Sequence, residues 1–129
     1  MKRRFVVPLM VMLVMGVVAC ATFEKNTYRT LYTAGTTYDM SMVTVATLQK
    51  TGIINAENRK EIDKLANIFY VSYHSSVDAF ELWKRTGTPE NKNKAQTALM
   101  FMFQNWRTYA AYVNRLRPNT LPPELEEVK

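Results

Sequence analysis

Residues 88–118 read TPENKNKAQTALMFMFQNWRTYAAYVNRLRP and carry a full set of helix instructions. Thr88 is a capping residue. Pro89 fits the first helical position, where its missing N–H would have had no partner, and Glu90 favours the positive end of the dipole. Apolar residues then recur at Ala95, Leu99, Met102, Trp106, Tyr109, Val113 and Leu116, in steps of four and three. That spacing holds one stripe on one helix face and reads as a heptad seam. Phe103 and Ala110 widen it. Arg115 and Arg117 suit the negative end of the dipole, and Pro118 cannot continue the helix.

The same pattern repeats upstream. Asn55 is a good N-cap, and Glu57, Glu61 and Asp63 gather near the helix start it would open. The seam runs through Ile62, Leu65, Phe69, Tyr73, Ser76 or Val77, Phe80 and Trp83, flanked by Ala66, and Gly87 stops it. An earlier helix begins near Glu24 or Lys25, with a seam at Tyr28, Leu31, Gly35, Tyr38, Met42 and Val45. Its threonines are poor helix formers, and Gly35 costs about 1 kcal/mol relative to alanine, so packing must hold it. Gly35 on a seam predicts close helix–helix approach, and Gly52 ends the helix. Three seams of similar length and short loops predict an all-α fold: an up-down-up antiparallel three-helix bundle over residues 27–117. A Pro-broken acidic tail, 118–129, either adds a helical turn or stays mobile.

Residues 1–19, MKRRFVVPLMVMLVMGVVA, have the layout of a secretory leader. Lys2, Arg3 and Arg4 supply charge, Phe5 to Val18 an uncharged apolar run, and Ala19 the small residue before the cut. A retained span needs about 20 apolar residues, and this run is shorter and holds Pro8. Cys20 follows at once and is the only cysteine, so no intramolecular disulfide can form.

The stretch Val17-Val18-Ala19-Cys20 resembles the lipobox of bacterial lipoproteins, with Val17 where leucine is commoner. The resemblance implies cleavage after Ala19, a diacylglyceryl thioether on Cys20 and membrane anchoring by its acyl chains. It also implies placement in the bacterial envelope. Ala21 is not the aspartate that retains such proteins at the inner membrane, which favours a Gram-negative outer membrane, facing the periplasm. On this reading residues 20–26 are a lipidated cysteine and its tether, and the bundle follows a cleaved N-terminal signal helix.

Whole-chain charge is +6, but three positives lie in the leader. The rest holds 14 Lys and Arg against 11 Asp and Glu, a balance of +3 that gives no nucleic-acid signature. Half of the eight methionines are leader residues too.

Candidate chemistry is sparse. His74, the only histidine, and Asp78 share a helix face and could do acid–base work; the plainer expectation is a surface ion pair. One histidine and a lipid-consumed cysteine leave no basis for a zinc site, and no cofactor is expected. Seven tyrosines stand out. Tyr28, Tyr38, Tyr73 and Tyr109 fall on seams, whereas Tyr32, Tyr70 and Tyr112 are expected nearer the surface. Tyr70, Arg107, Tyr112 and Arg115 make a candidate partner surface, since Tyr and Arg are favoured at interfaces. The plainer reading is that slender bundles use tyrosine at boundaries. Phe101 and Phe103 flank Met102 and give the third helix apolar residues on more than one face, which allows a homo-oligomer. Lys84, Arg85, Lys92 and Lys94 cluster at the second turn as a solvated, dipole-complementing set, with anionic lipid as the lesser expectation.

The Gly52-Ile53-Ile54-Asn55 turn between a Tyr-rich first helix and two more helices resembles small helical lipoproteins of Gram-negative bacteria and their prophages. That likeness bears on the fold and the address only, and two functions stand as expectations beside it. The first is a non-enzymatic, lipid-anchored module that binds or scaffolds an unidentified envelope protein. The second is prophage-encoded interference at the envelope, of the superinfection-exclusion or lysis type.

Overall fold

The computed structural model describes the backbone of residues 6–125 and the side chains of residues 21–125. Helix α1 spans Val6–Lys50, α2 Ala56–Thr86 and α3 Pro89–Leu116, and no strand occurs among the described residues. The expected caps form. The Asn55 side chain accepts the Asn58 N–H at 2.8 Å, and Thr88 Oγ1 accepts the Asn91 N–H at 3.3 Å. Gly52 and Gly87 end their helices with φ of 76° and 64°, a left-handed conformation that glycine adopts without a Cβ penalty.

Contacts fix the topology. Glu24 meets Lys84, Gly35 meets Tyr73, and Gln49 meets Arg59, so α1 and α2 run antiparallel. Phe23 meets Lys92 and Ser41 meets Tyr109, so α1 and α3 run parallel. The chain is the expected up-down-up bundle, and α2 and α3 form its tighter pair. At 1.5 Å per residue α2, with 31 residues, and α3, with 28, are each about 40–45 Å long.

The α2 and α3 seams form the core. Ile62, Phe69, Phe80 and Trp83 from α2 pack against Met102, Trp106, Tyr109 and Val113 from α3. Phe69 meets Trp106 edge-on at 5.3 Å between centroids, and Trp106 meets Tyr109 at 5.4 Å. Such pairs add roughly 0.5–1.5 kcal/mol to area burial.

The α1 seam is rotated from the expected one. Leu31 and Val45 are buried as predicted and Tyr38 and Met42 pack half-buried against the core, but Tyr28 is exposed, and Thr27, Ala34 and Ser41 are buried. Small side chains let α1 come close to the α2–α3 pair, and the bulkier tyrosine is turned outward. Gly35 stays at the boundary, where an added Cβ would stand 2.9 Å from Tyr73 Oη, so the predicted close approach is real. The threonines manage their hydroxyls locally. Thr36, Thr44 and Thr47 each donate to the carbonyl four residues earlier at 3.0 Å.

Both flanks of the bundle differ from expectation. Residues 21–26, read as a tether, are helical and continuous with the rest of α1. Phe23 holds them to the bundle by an edge-on contact with Trp83 at 4.8 Å. The described part of the tail, 118–125, packs back along α3. Asn114 Oδ1 accepts the N–H groups of Thr120 and Leu121 at 2.9 and 2.8 Å, and its amide donates to the Leu121 carbonyl at 2.9 Å. Asn119 takes the left-handed conformation at the bend, Trp106 Nε1 donates to the Pro122 carbonyl at 3.0 Å, and Leu121 and Leu125 are buried. The segment is a strap with its own share of the core.

Candidate functional site

The expected lipidation position lies at the edge of the described residues. Ala19 and Cys20 lie within α1, but their side chains are outside the described residues, as are residues 1–5 and 126–129. Ala21 continues the helix directly. The α1 residues that follow Cys20 therefore enter the bundle at the Gly87 turn, beside Lys84, Lys92 and Trp83.

The basic cluster at that turn is largely engaged within the chain. Lys84 Nζ lies 3.8 Å from Glu24 and 3.9 Å from Glu81. Lys94 bridges to Glu90 at 3.0 Å, and Lys92 Nζ stands 4.9 Å from the Phe23 ring centroid. This arrangement matches the solvated reading of the cluster. Exposed pairs of this kind contribute at most about 1 kcal/mol each.

The four residues of the candidate partner surface take three separate places. Tyr70 lies on the α1 side of α2, with its ring centroid 5.9 Å from Tyr38 and 4.4 Å from His74. Arg107 bridges to Glu124 of the strap at 3.5 Å. Tyr112 and Arg115 share a third place: the guanidinium carbon stands 4.9 Å from the Tyr112 ring centroid, and Tyr112 Oη donates to Asn58 Oδ1 at 3.4 Å. Arg107 and Tyr112 are five residues apart, which turns them to different faces at 3.6 residues per turn. The expected single patch is not formed.

His74 and Asp78 do not pair. Both are exposed, and no ion pair joins them among the described residues. The imidazole instead meets the edges of Tyr70 and of Tyr73, 5.5 Å away. Neither the acid–base dyad nor the surface ion pair expected of them is formed. No group of three or more His, Cys, Asp or Glu side chains converges among the described residues.

What the heptad seams did not reveal is how much apolar surface lies outside them. Tyr28, Tyr32, Met40 and Val43 are 64%, 69%, 67% and 68% exposed along the outer face of α1. On the opposite side, Ile68, Val71, Ala98 and Phe101 line an open groove of about 790 Å3 between α2 and α3. The Met-Phe-Met-Phe run at 100–103 signalled the second surface, since apolar residues on consecutive positions cannot all face one core. Among residues 21–125, no helix is long and apolar enough to cross a membrane. No family model, curated protein or solved structure matches the chain.

Proposed function

We propose that the chain is a bacterial envelope lipoprotein, anchored by acyl chains on Cys20, whose helical bundle acts by protein contact and not by catalysis. The observation that carries the anchor is the sequence of residues 1–20: basic start, apolar run, then Val17-Val18-Ala19-Cys20. The fold fits this reading. Just beyond the proposed cut, Phe23 is already held to the bundle by its edge-on contact with Trp83. With no irregular tether after Cys20, the bundle stands directly on the lipid surface at its Gly87 end. The Gly52 turn then lies about 40 Å away.

Contact as the mode of action is supported by the distribution of side chains. Tyr28, Tyr32, Met40 and Val43 form one exposed apolar face on α1, and Ile68, Val71 and Phe101 another along the α2–α3 groove. Replacing Cys20 with serine and fractionating cells tests the anchor. The variant is expected to leave the membrane fraction or to accumulate with its leader uncut. A membrane-bound mature form that is unchanged by Cys20→Ser would overturn the proposal.

A further inference from the structure

Helix α1 buries the small residues Thr27, Ala34 and Ser41 beside Leu31, Val45 and Leu48, and turns the bulky Tyr28, Tyr32 and Met40 outward. The open α2–α3 groove, lined by Ile68, Val71, Ala98 and Phe101, lies on the other side of the molecule. On α2, Phe69 and Tyr73 pack toward α1, whereas Ile68 and Val71 point away and are exposed. A face and a groove on opposite sides of one chain are the two halves of a head-to-tail contact.

We propose that the groove between α2 and α3 receives the outer face of α1 from a second copy standing parallel on the same membrane. The proposal rests on the lipid-anchor reading, because Cys20 would set every copy in one orientation and at one depth. Within the chain, α1 already runs parallel to α3 and antiparallel to α2, with Phe23 level with Lys92, Ser41 level with Tyr109, and Gly35 level with Tyr73. A neighbouring α1 at the same depth keeps those levels. Carried along at 1.5 Å per residue, they bring its Tyr32 to the height of Phe101 and its Met40 to the height of Ile68. Aromatic side chains then meet aromatic ones, and aliphatic meet aliphatic.

Charge follows the same match. Arg29, beside Tyr28 and Tyr32 on the outer face, comes level with Asp78, which lies two turns beyond Val71 on the groove side of α2. Both are exposed, and neither forms an ion pair among the described residues. Because face and groove differ, each copy in a pair keeps one of them open. The contact therefore extends into rows and does not close at two.

The test uses two full-length chains with different tags, one carrying Tyr32→Cys and the other Phe101→Cys, co-expressed and oxidised in isolated membranes. Both positions are exposed, so the bundle tolerates them. A disulfide-linked product carrying both tags is expected. It should be lost with Asp78→Arg and regained when Arg29→Asp is added to the partner chain. Membrane-bound chains that give no such product overturn the proposal. So does a Phe101→Cys chain linked to its own kind, which would mean groove against groove, or one linked only to a different protein. Chains missing from the membrane fraction overturn the anchor reading, and this proposal with it.

Discussion

Tyr109 Oη of α3 lies 3.0 Å from Ser41 Oγ of α1, and both residues are buried. Ser41 Oγ also donates to the Tyr38 carbonyl at 2.7 Å, so its one proton is committed and Tyr109 is the donor between them. The bond fixes the depth of α1 against α3. Ser41→Ala leaves the Tyr109 hydroxyl with only the weak Met42 Sδ acceptor at 3.7 Å. A loss of about 1–3 kcal/mol is expected from stranding a buried hydroxyl. Urea unfolding should show it, and Ser41→Ala with Tyr109→Phe should recover part of it.

Gly35 tests the close approach of α1 to α2. Alanine there gains about 1 kcal/mol in helix propensity but sets its Cβ 2.9 Å from Tyr73 Oη and 3.3 Å from Cζ. Overpacking of this kind costs about 1–3 kcal/mol, so a net loss near 1 kcal/mol is expected. Tyr73→Phe removes the closest atom. Gly35→Ala should then cost less in that background than in the wild type, and equal costs would contradict the contact.

Three tyrosines make the fold sensitive to alkali. Burial, the largest cause in each case, raises Tyr38, Tyr73 and Tyr109 above the ordinary value of 10.0. Below about pH 10 these groups are protonated in both folded and unfolded chains, and their contribution to stability is constant. Above it the unfolded chain loses protons first, so stability falls as pH rises through the folded values. Tyr109→Phe should flatten that fall. Melting curves from pH 8 to 12, with tyrosinate absorbance, read both effects.

The strap carries part of the stability. Leu121→Ala is expected to cost about 2–5 kcal/mol, as for other buried leucines. Ending the chain after Arg117 removes the Pro122 carbonyl from Trp106 Nε1 and should shift tryptophan emission to the red. An unshifted spectrum would mean that the strap does not cover Trp106.

The α2 and α3 seams were legible because large apolar residues at heptad spacing also proved to be the buried ones, from Ile62 to Val113. In α1 the same rule misled. Side-chain size pointed to Tyr28, which is exposed, and to Met42, which is only half-buried, while close packing selected Thr27 and Ser41, whose small volumes a hydropathy pattern undervalues. Proline and acidic composition masked the strap, although the Leu121–Leu125 pair at helical spacing marked a buried face. Tyr70, Arg107, Tyr112 and Arg115 were grouped by residue type, and type alone cannot tell that they occupy three places. The outer α1 face and the α2–α3 groove needed three dimensions, because each depends on what the other two helices leave open.

The proposed anchor rests on Cys20, and the mass of the protein purified from membranes tests it most directly. The purified chain is expected to begin at Cys20 and to carry a diacylglyceryl group on that sulfur, with peptide fragments placing the lipid there. A membrane-purified chain that retains residues 1–19, or that carries an unmodified Cys20 thiol, would contradict it.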